Sequence, residues 1–440
     1  MTFIRALKST KNWFILITAI IVCFFFISSW HTKHTLERQN LHQYQEQVIE
    51  EHQLPSYNSN RLTPTRRQLL ISALAHIRLG YVANRTPPYS TPPLLVLYTC
   101  KQSTLCGPLE ERLMSITNGY YFSMLQQGSA FAYDMTAPVR FEWFFESMPS
   151  YMVMTTDQAD YYTQKTELHQ LKHEGSMTSD ELKQRNFLQD YERDGTTIVS
   201  TTEWQGHWMD FKLNPSMKAL RDKYRLNHLP LASDWFWIVS QLLFSKPSSY
   251  LREQLLPYQE LMGGKIELSE TLSPFDPDHH RMTPAFAAKH WLRIGLRIKH
   301  DENSDIPCLA NHVANLCHRR SQYAACHVFI SAPTRPLFDK LRIEMKKYNV
   351  NIHAVAEGFE FRELNMESSS KPNLFEPNQL KKSYARTFMD WVILSRMDYL
   401  VGQEQDGFLK TAAWAAQVHT DISKHKTDSS HCQIIPMPDW

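Results

Sequence analysis

Hydrophobic residues fall into three successive patterns along the 440-residue chain. Residues 13–30, WFILITAIIVCFFFISSW, are apolar, uncharged and bracketed by tryptophans, which suit the two water–lipid boundaries. A helix of that length reaches about 27 Å, enough for a thin bilayer, so the run predicts a transmembrane anchor. Residues 31–65 are rich in Gln, His, Glu and Asn with almost no large apolar side chain, which predicts a disordered stem. From residue 66 onward helical and strand periods alternate. RRQLLISALAHIRLGYV (66–82) has helical spacing. LLVLYTC (94–100) reads as a buried strand, residues 108–125 as an amphipathic helix and AFAYDM (130–135) as a second strand, together a βαβ unit and so a parallel sheet.

A strongly polar stretch at about 155–195 predicts a helical or loop insertion on the surface. DWFWIVSQLLF (234–244) and SSYLREQLLPYQELM (248–262) predict two helices, the second stopped by Gly263 and Gly264. A second alternating series begins with WLRIGLRIKH (291–300), then CHVFISA (326–332), a helix over 333–348, VNIHAVA (350–356) and a helix–strand–helix around TFMDWVILSRMDYLVG (387–402). The pattern predicts an α/β protein of two Rossmann-like domains facing a cleft. The first covers 66–270, a hinge 271–290 and the second 291–440, after a cytoplasmic tail at 1–12, the anchor and the stem.

Charge narrows the partners. Lys and Arg exceed Asp and Glu by only two, which excludes a nucleic-acid binder by composition and makes any anion site local. Arg5, Lys8 and Lys11 precede the anchor, a positive-inside bias that sends the bulk of the chain into the lumen of the Golgi or ER as a single-pass type II protein. Six cysteines lie outside the anchor, an even number suited to disulfides in an oxidising compartment. Cys100 with Cys106, and two of Cys308, Cys317 and Cys326, are the local pairings expected. Asn84 opens an NRT glycosylation sequon. DPDHH (276–280) imitates a D-x-D metal motif but sits in the Pro-rich hinge rather than after an apolar strand, so no metal is expected.

The chemistry-bearing stretch is WLRIGLRIKH. Leu292, Ile294, Leu296 and Ile298 alternate with Arg293, Gly295, Arg297 and Lys299, so one strand face is aliphatic and the other cationic. Arg297 and Lys299 are spaced to straddle a diphosphate, and Gly295 permits close approach. A helix starting near Gly407 would present unpaired amides and a positive dipole end to the same anion.

The spacing of Asp390, Trp391, Leu394, Ser395, Asp398, Leu400, Val401 and Phe408 resembles the C-terminal motif of the GT-B fucosyltransferases, the group of N-glycan core, nodulation, protein O-fucosyl and xyloglucan enzymes. CGPLEERLMSITNGYYF (106–122) is similar to the group's N-terminal motif, and the cationic strand falls where the group has its arginine motif. The resemblance runs through nearly all of residues 90–425. It implies a GT-B fold and metal-independent transfer of fucose from GDP-fucose to a glycan or glycoprotein acceptor, with no further cofactor. It also implies donor-phosphate contacts at Arg297 and Lys299, a cleft-wall role for Arg112, guanine packing and local support at Phe408 and Asp390, and Glu110 or Glu111 as the base. The chain departs from the group's pattern at several of these positions. Lys299 stands where the arginine fork is usual, Glu110 and Pro108 replace glycines, and Gln403, Asp406 and Gly407 replace phosphate-binding Ser/Thr residues. Those departures make a catalytically silent, glycan-binding or scaffolding relative the alternative expectation.

Overall fold

The computed structural model describes residues 64–83, 94–100, 106–125, 129–146, 153–154, 169–173, 178–186, 196–201, 208–263, 291–300, 305–319, 324–365, 377–424 and 433–438. All belong to one compact unit, Asn60–Trp440. The tail, anchor and stem, Asn84, the hinge with its DPDHH and Cys432 lie outside the described residues.

After helix α1 (Pro64–Ala83), the first lobe carries β1 (Leu94–Cys100), α2 (Leu109–Met124), β2 (Ser129–Met135), β3 (Val153–Met154), β4 (His169–His173), α3 (Ser179–Gln184) and β5 (Thr196–Thr201), followed by α4 (Lys218–Lys223), α5 (Ala232–Val239) and α6 (Ser249–Leu255). Its five strands are all parallel, in the order β3-β2-β1-β5-β4. β1 and β2 read as near-continuous apolar runs because a parallel sheet is covered on both faces, and β2 is buried along its whole length. The polar stretch at 155–195, expected as a helical or loop insertion on the surface, contains the short helix α3 and also contributes β4 as an edge strand of the sheet. An edge strand has one unpaired side, which tolerates His and Lys.

The second lobe comprises β6 (Trp291–Arg297), α7 (Asp305–Arg319), β7 (Ala325–Ser331), α8 (Arg335–Lys346), β8 (Asn351–His353), α9 (Pro377–Leu394), β9 (Tyr399–Gln403), α10 (Gly407–Ala416), β10 (His419–Lys424) and β11 (Gln433–Pro436). Strand order is β11-β10-β9-β6-β7-β8, parallel except for the β10–β11 pair. The chain runs outward one way from β6 through β7 to β8, then returns to place β9 on β6's other side. The carboxyl ends of β6 and β9 therefore flank a topological switch point, where open α/β sheets hold ligands.

The two lobes share an interior. One hydrophobic core runs through both, because α9 from Ser383 to Leu394 is buried on nearly every face and seats its aromatic side chains among those of the first lobe. The Phe388 ring stacks on Phe144 with centroids 3.9 Å apart, and Trp391 meets the Phe145 ring at 5.9 Å. Arg66 on α1 donates to Asp234 at 2.8 Å, and Gln417 after α10 donates to the Ser233 carbonyl at 3.0 Å, which pins α1, α5 and α10 together. Among the described residues, disulfides join Cys100 to Cys106 and Cys317 to Cys326. They match the expected local pairings. Among the described residues no helix is long and apolar enough to cross a membrane.

The aliphatic face of β6 is as the alternation predicts, with Leu292, Ile294 and Leu296 buried in the second lobe's own core. Gly295 lies on the other face, but α9 covers it. A Cβ there would come within 2.6 Å of the Leu394 and Leu400 side chains, so the glycine permits helix packing rather than ligand approach. Gly295→Ala is expected to lower unfolding stability by roughly 1–3 kcal/mol through overpacking. Urea unfolding of the two proteins measures this, and an unchanged midpoint would contradict the packing role.

Candidate active site in the interlobe cleft

Arg297, the last residue of β6, is nearly fully buried at the switch point. Its Nε donates to Asp406 at 3.1 Å and its Nη1 to the Ser331 hydroxyl at 2.8 Å, while the guanidinium lies 3.8 Å over the Phe408 ring. Ser331, the last residue of β7, donates in turn to Asp390 on α9 at 2.7 Å. One cation thus ties together the ends of β6 and β7, α9 and the start of α10. The chain after β6 is held separately: the Gln403 side chain accepts from the Lys299 and His300 amides at 2.7 and 2.9 Å and donates to Asp305 at 2.9 Å.

Asp406 has two tasks. Besides pairing with Arg297, its other oxygen accepts from the Phe408 and Leu409 amides at 3.0 and 3.2 Å, capping α10. The helix start near Gly407 is as the sequence predicts, but the amides expected to be open for an anion are occupied. An aspartate at N-cap does from within the chain what a bound anion would do from outside.

The first lobe supplies Glu110, in the first turn of α2. That helix starts at the carboxyl end of β1 after Gly107, whose φ of +68° favours glycine. Glu110 reaches across to the second lobe so closely that a Cβ on Gly407 would sit 2.9 Å from its Cγ. Gly407 is therefore one of the points where the lobes touch. Burial, and then the Asp406 charge, push the Glu110 carboxyl up to about 7, against the opposing pull of Arg297 and Lys299. Beside these groups lies a small cavity of about 20 Å³, lined from the first lobe by Pro108, Leu109 and Glu110 and from the second by Arg297, Phe408, Arg386, Asp390 and the segment around Phe361. Asp390 is wholly buried, and desolvation raises its pKa against the pull of Arg386, Ser331 and Arg297.

The structure brings Arg297, Glu110, Asp390, Gly407 and Phe408 together. Lys299 lies past the end of the strand, outside the cavity lining, with its Nζ 3.4 Å from the Gln405 carbonyl oxygen. Arg293, the third cation of the strand face, is held bidentately by Asp398 at 2.8 and 2.6 Å. Arg112 is fully buried, and its guanidinium donates to the carbonyls of Gly107, Ala137 and Leu364 at 2.8, 2.5 and 2.9 Å. It braces the turn before α2 against both lobes, so the expected cleft-wall contact becomes an internal brace. Glu111 folds back over Gly107, away from Gly407. Sequence reasoning missed Arg386, which lines the cavity one helical turn before Asp390. Its signal was a polar pair spaced i, i+4 inside a helix apolar on every side. Among the described residues no group of three or more His, Cys, Asp or Glu could hold a metal ion.

No protein-family model matches the chain, and no curated protein matches it in sequence. Its structural neighbours are fucosyltransferases. Fucosyltransferase NodZ from Bradyrhizobium is 12% identical with a TM-score of 0.41, the match covering 78% of this chain and 99% of NodZ. A mutant of Arabidopsis thaliana FUT1 in complex with GDP is 11% identical with a TM-score of 0.47, over 84% of this chain and 80% of that one. POFUT1 in complex with GDP is 12% identical with a TM-score of 0.39, over 75% of this chain and 99% of that one.

The Glu110 site makes a signed pH prediction. The folded chain holds this proton more tightly than the unfolded chain, so the contribution to stability is full below about 4.5 and is lost as pH rises through about 7. The loss amounts to about 3 kcal/mol at most. Glu110→Gln is expected to flatten the fall in denaturant-unfolding stability between pH 5 and pH 8. Parallel pH curves for the two proteins would contradict the burial of a titrating carboxyl there.

Proposed function

We propose that the chain is a fucosyltransferase-like glycosyltransferase that moves fucose from GDP-fucose to a hydroxyl of a glycan or glycoprotein, with the interlobe cavity as its donor site. One observation carries this reading. At a switch point, a buried arginine on an aromatic ring faces a buried carboxyl from the other lobe, held near neutrality, across a small cavity between the lobes. Nucleotide and sugar nucleotide sites have this position and this mixture of cation, ring and titrating acid. The donor's identity is drawn from the resemblance of the 390–408 motif to the GT-B fucosyltransferases. Residues 13–30 and the disulfides support an anchored, luminal setting in the secretory pathway, in the Golgi or ER.

Transfer in such a site breaks the bond between fucose C1 and the phosphate oxygen, whose electron pair leaves with GDP. The acceptor hydroxyl oxygen forms the new bond to C1, and its proton passes to Glu110. A carboxyl that titrates near 7 is partly ionised at neutral pH and well matched to take that proton. Arg297 sits beside the departing diphosphate and offsets its charge. Phe408 keeps the guanidinium plane fixed.

A second reading, a silent glycan-binding relative, is favoured by Asp406, which already neutralises Arg297 and caps α10. The full-length chain purified in detergent separates the two. On the enzyme reading GDP raises the melting temperature, GDP-fucose with a mixed glycan acceptor releases GDP, and Glu110→Gln slows release by about 10²–10⁴-fold while keeping the GDP response. Binding of glycan with no response to any nucleotide would establish the silent reading instead.

A further inference from the structure

We propose that Arg386, rather than Lys299, is the anchor for the anionic part of the ligand in the interlobe cavity, and that the anion is a phosphate or diphosphate ester. The inference rests on the donor-site reading above and names the residue and chemistry that reading leaves open.

Arg386 is only 2% exposed, yet among the described residues it makes no hydrogen bond and no ion pair, and its Nε and Nη2 are both buried without a partner. The guanidinium is not loose. It lies 3.7 Å over the Phe361 ring and 5.1 Å from the Phe338 ring, which fixes its plane at the cavity wall. A buried cation with an unmet bidentate edge destabilises a fold unless something supplies the missing acceptors. One turn along the same helix, Asp390 repeats the pattern: Oδ2 accepts from Ser331, while Oδ1 is buried and unpartnered. Burial raises its pKa, and the unpartnered Oδ1 lies one turn from the cation on the same cavity wall.

The other cations of the wall are already matched. Arg297 has Asp406 and Ser331, and Arg362 has Glu360 at 4.0 Å with the Tyr384 ring beneath it. Lys299 is outside the lining. Arg386 is the cavity arginine with no acid within ion-pair distance among the described residues. Its two free nitrogens form a bidentate edge that calls for paired acceptor oxygens. A carboxylate offers two oxygens, whereas a phosphate offers three or more in the spread that a guanidinium fork grips.

The test uses the full-length chain in detergent and inorganic pyrophosphate as probe, read by thermal melting. Pyrophosphate is expected to raise the melting temperature of the unaltered chain and of Lys299→Met alike. Arg386→Met is expected to melt higher than the unaltered chain without ligand, because an uncompensated buried charge is gone, and to lose the pyrophosphate response. Arg386→Lys, which keeps the charge without the fork, should bind at least about ten-fold more weakly, and it decides the matter should the methionine variant not fold. The proposal is overturned by a full response in Arg386→Met or Arg386→Lys, by loss of response in Lys299→Met alone, or by no response in the unaltered chain. Pyrophosphate binding that depends on Arg386 in a chain without sugar transfer would leave this inference standing and remove the transferase reading. Fucose transfer that survives Arg386→Met would do the reverse.

Discussion

The arrangement of the cleft depends on the burial of the Arg297 guanidinium at the switch point. A buried cation of this kind has to be paired, and the partners it recruits come from every element that meets there: Asp406 before α10, Ser331 at the end of β7 and, through Ser331, Asp390 on α9. Phe408 supplies the face on which it lies. Removing the arginine would leave Asp406 a buried acid without its ion-pair partner. That cost falls on the fold as much as on any chemistry.

The same burial sets the electrostatics of the cavity. Asp406 is committed to Arg297 and the α10 amides, so its charge adds to burial in holding the Glu110 proton. The Glu110 side chain is brought there by the first lobe, across a contact so tight that Gly407 leaves no room for a side chain. Such closeness requires lobes that do not swing freely. The continuous aromatic core around Phe388 and Trp391 provides that constraint, and it explains why a sequence with two sheets behaves as one compact unit.

Much of this architecture was legible in the sequence. Alternating periods marked β6 and β7, the apolar run at 399–401 marked β9, and Gly407 marked the start of α10. Which cations reach the cavity was not legible. The face of β6 looked like one cationic stripe, but Arg293 is matched by Asp398, 105 residues later, and Lys299 falls past the strand's end. Pairing over such separations leaves no local trace. Arg386 escaped notice for a related reason: its burial depends on Phe338 and Phe361, which lie 48 and 25 residues earlier in the chain. In one dimension Asp406 looked like the loss of a phosphate-binding Ser/Thr; in three it is a cap and a counter-ion. The membrane run, the stem, Asn84 and the hinge remain expectations of composition and motif.

The measurement bearing most directly on the cleft is the position of the diphosphate in crystals of the chain grown with saturating GDP. Phosphate oxygens between the carboxyl ends of β6 and β9, within hydrogen-bond distance of the arginines of the second lobe and facing Glu110, are the predicted result. GDP seated elsewhere, with the Arg297–Asp406 pair and the Glu110–Gly407 contact untouched and the cavity empty, would contradict it.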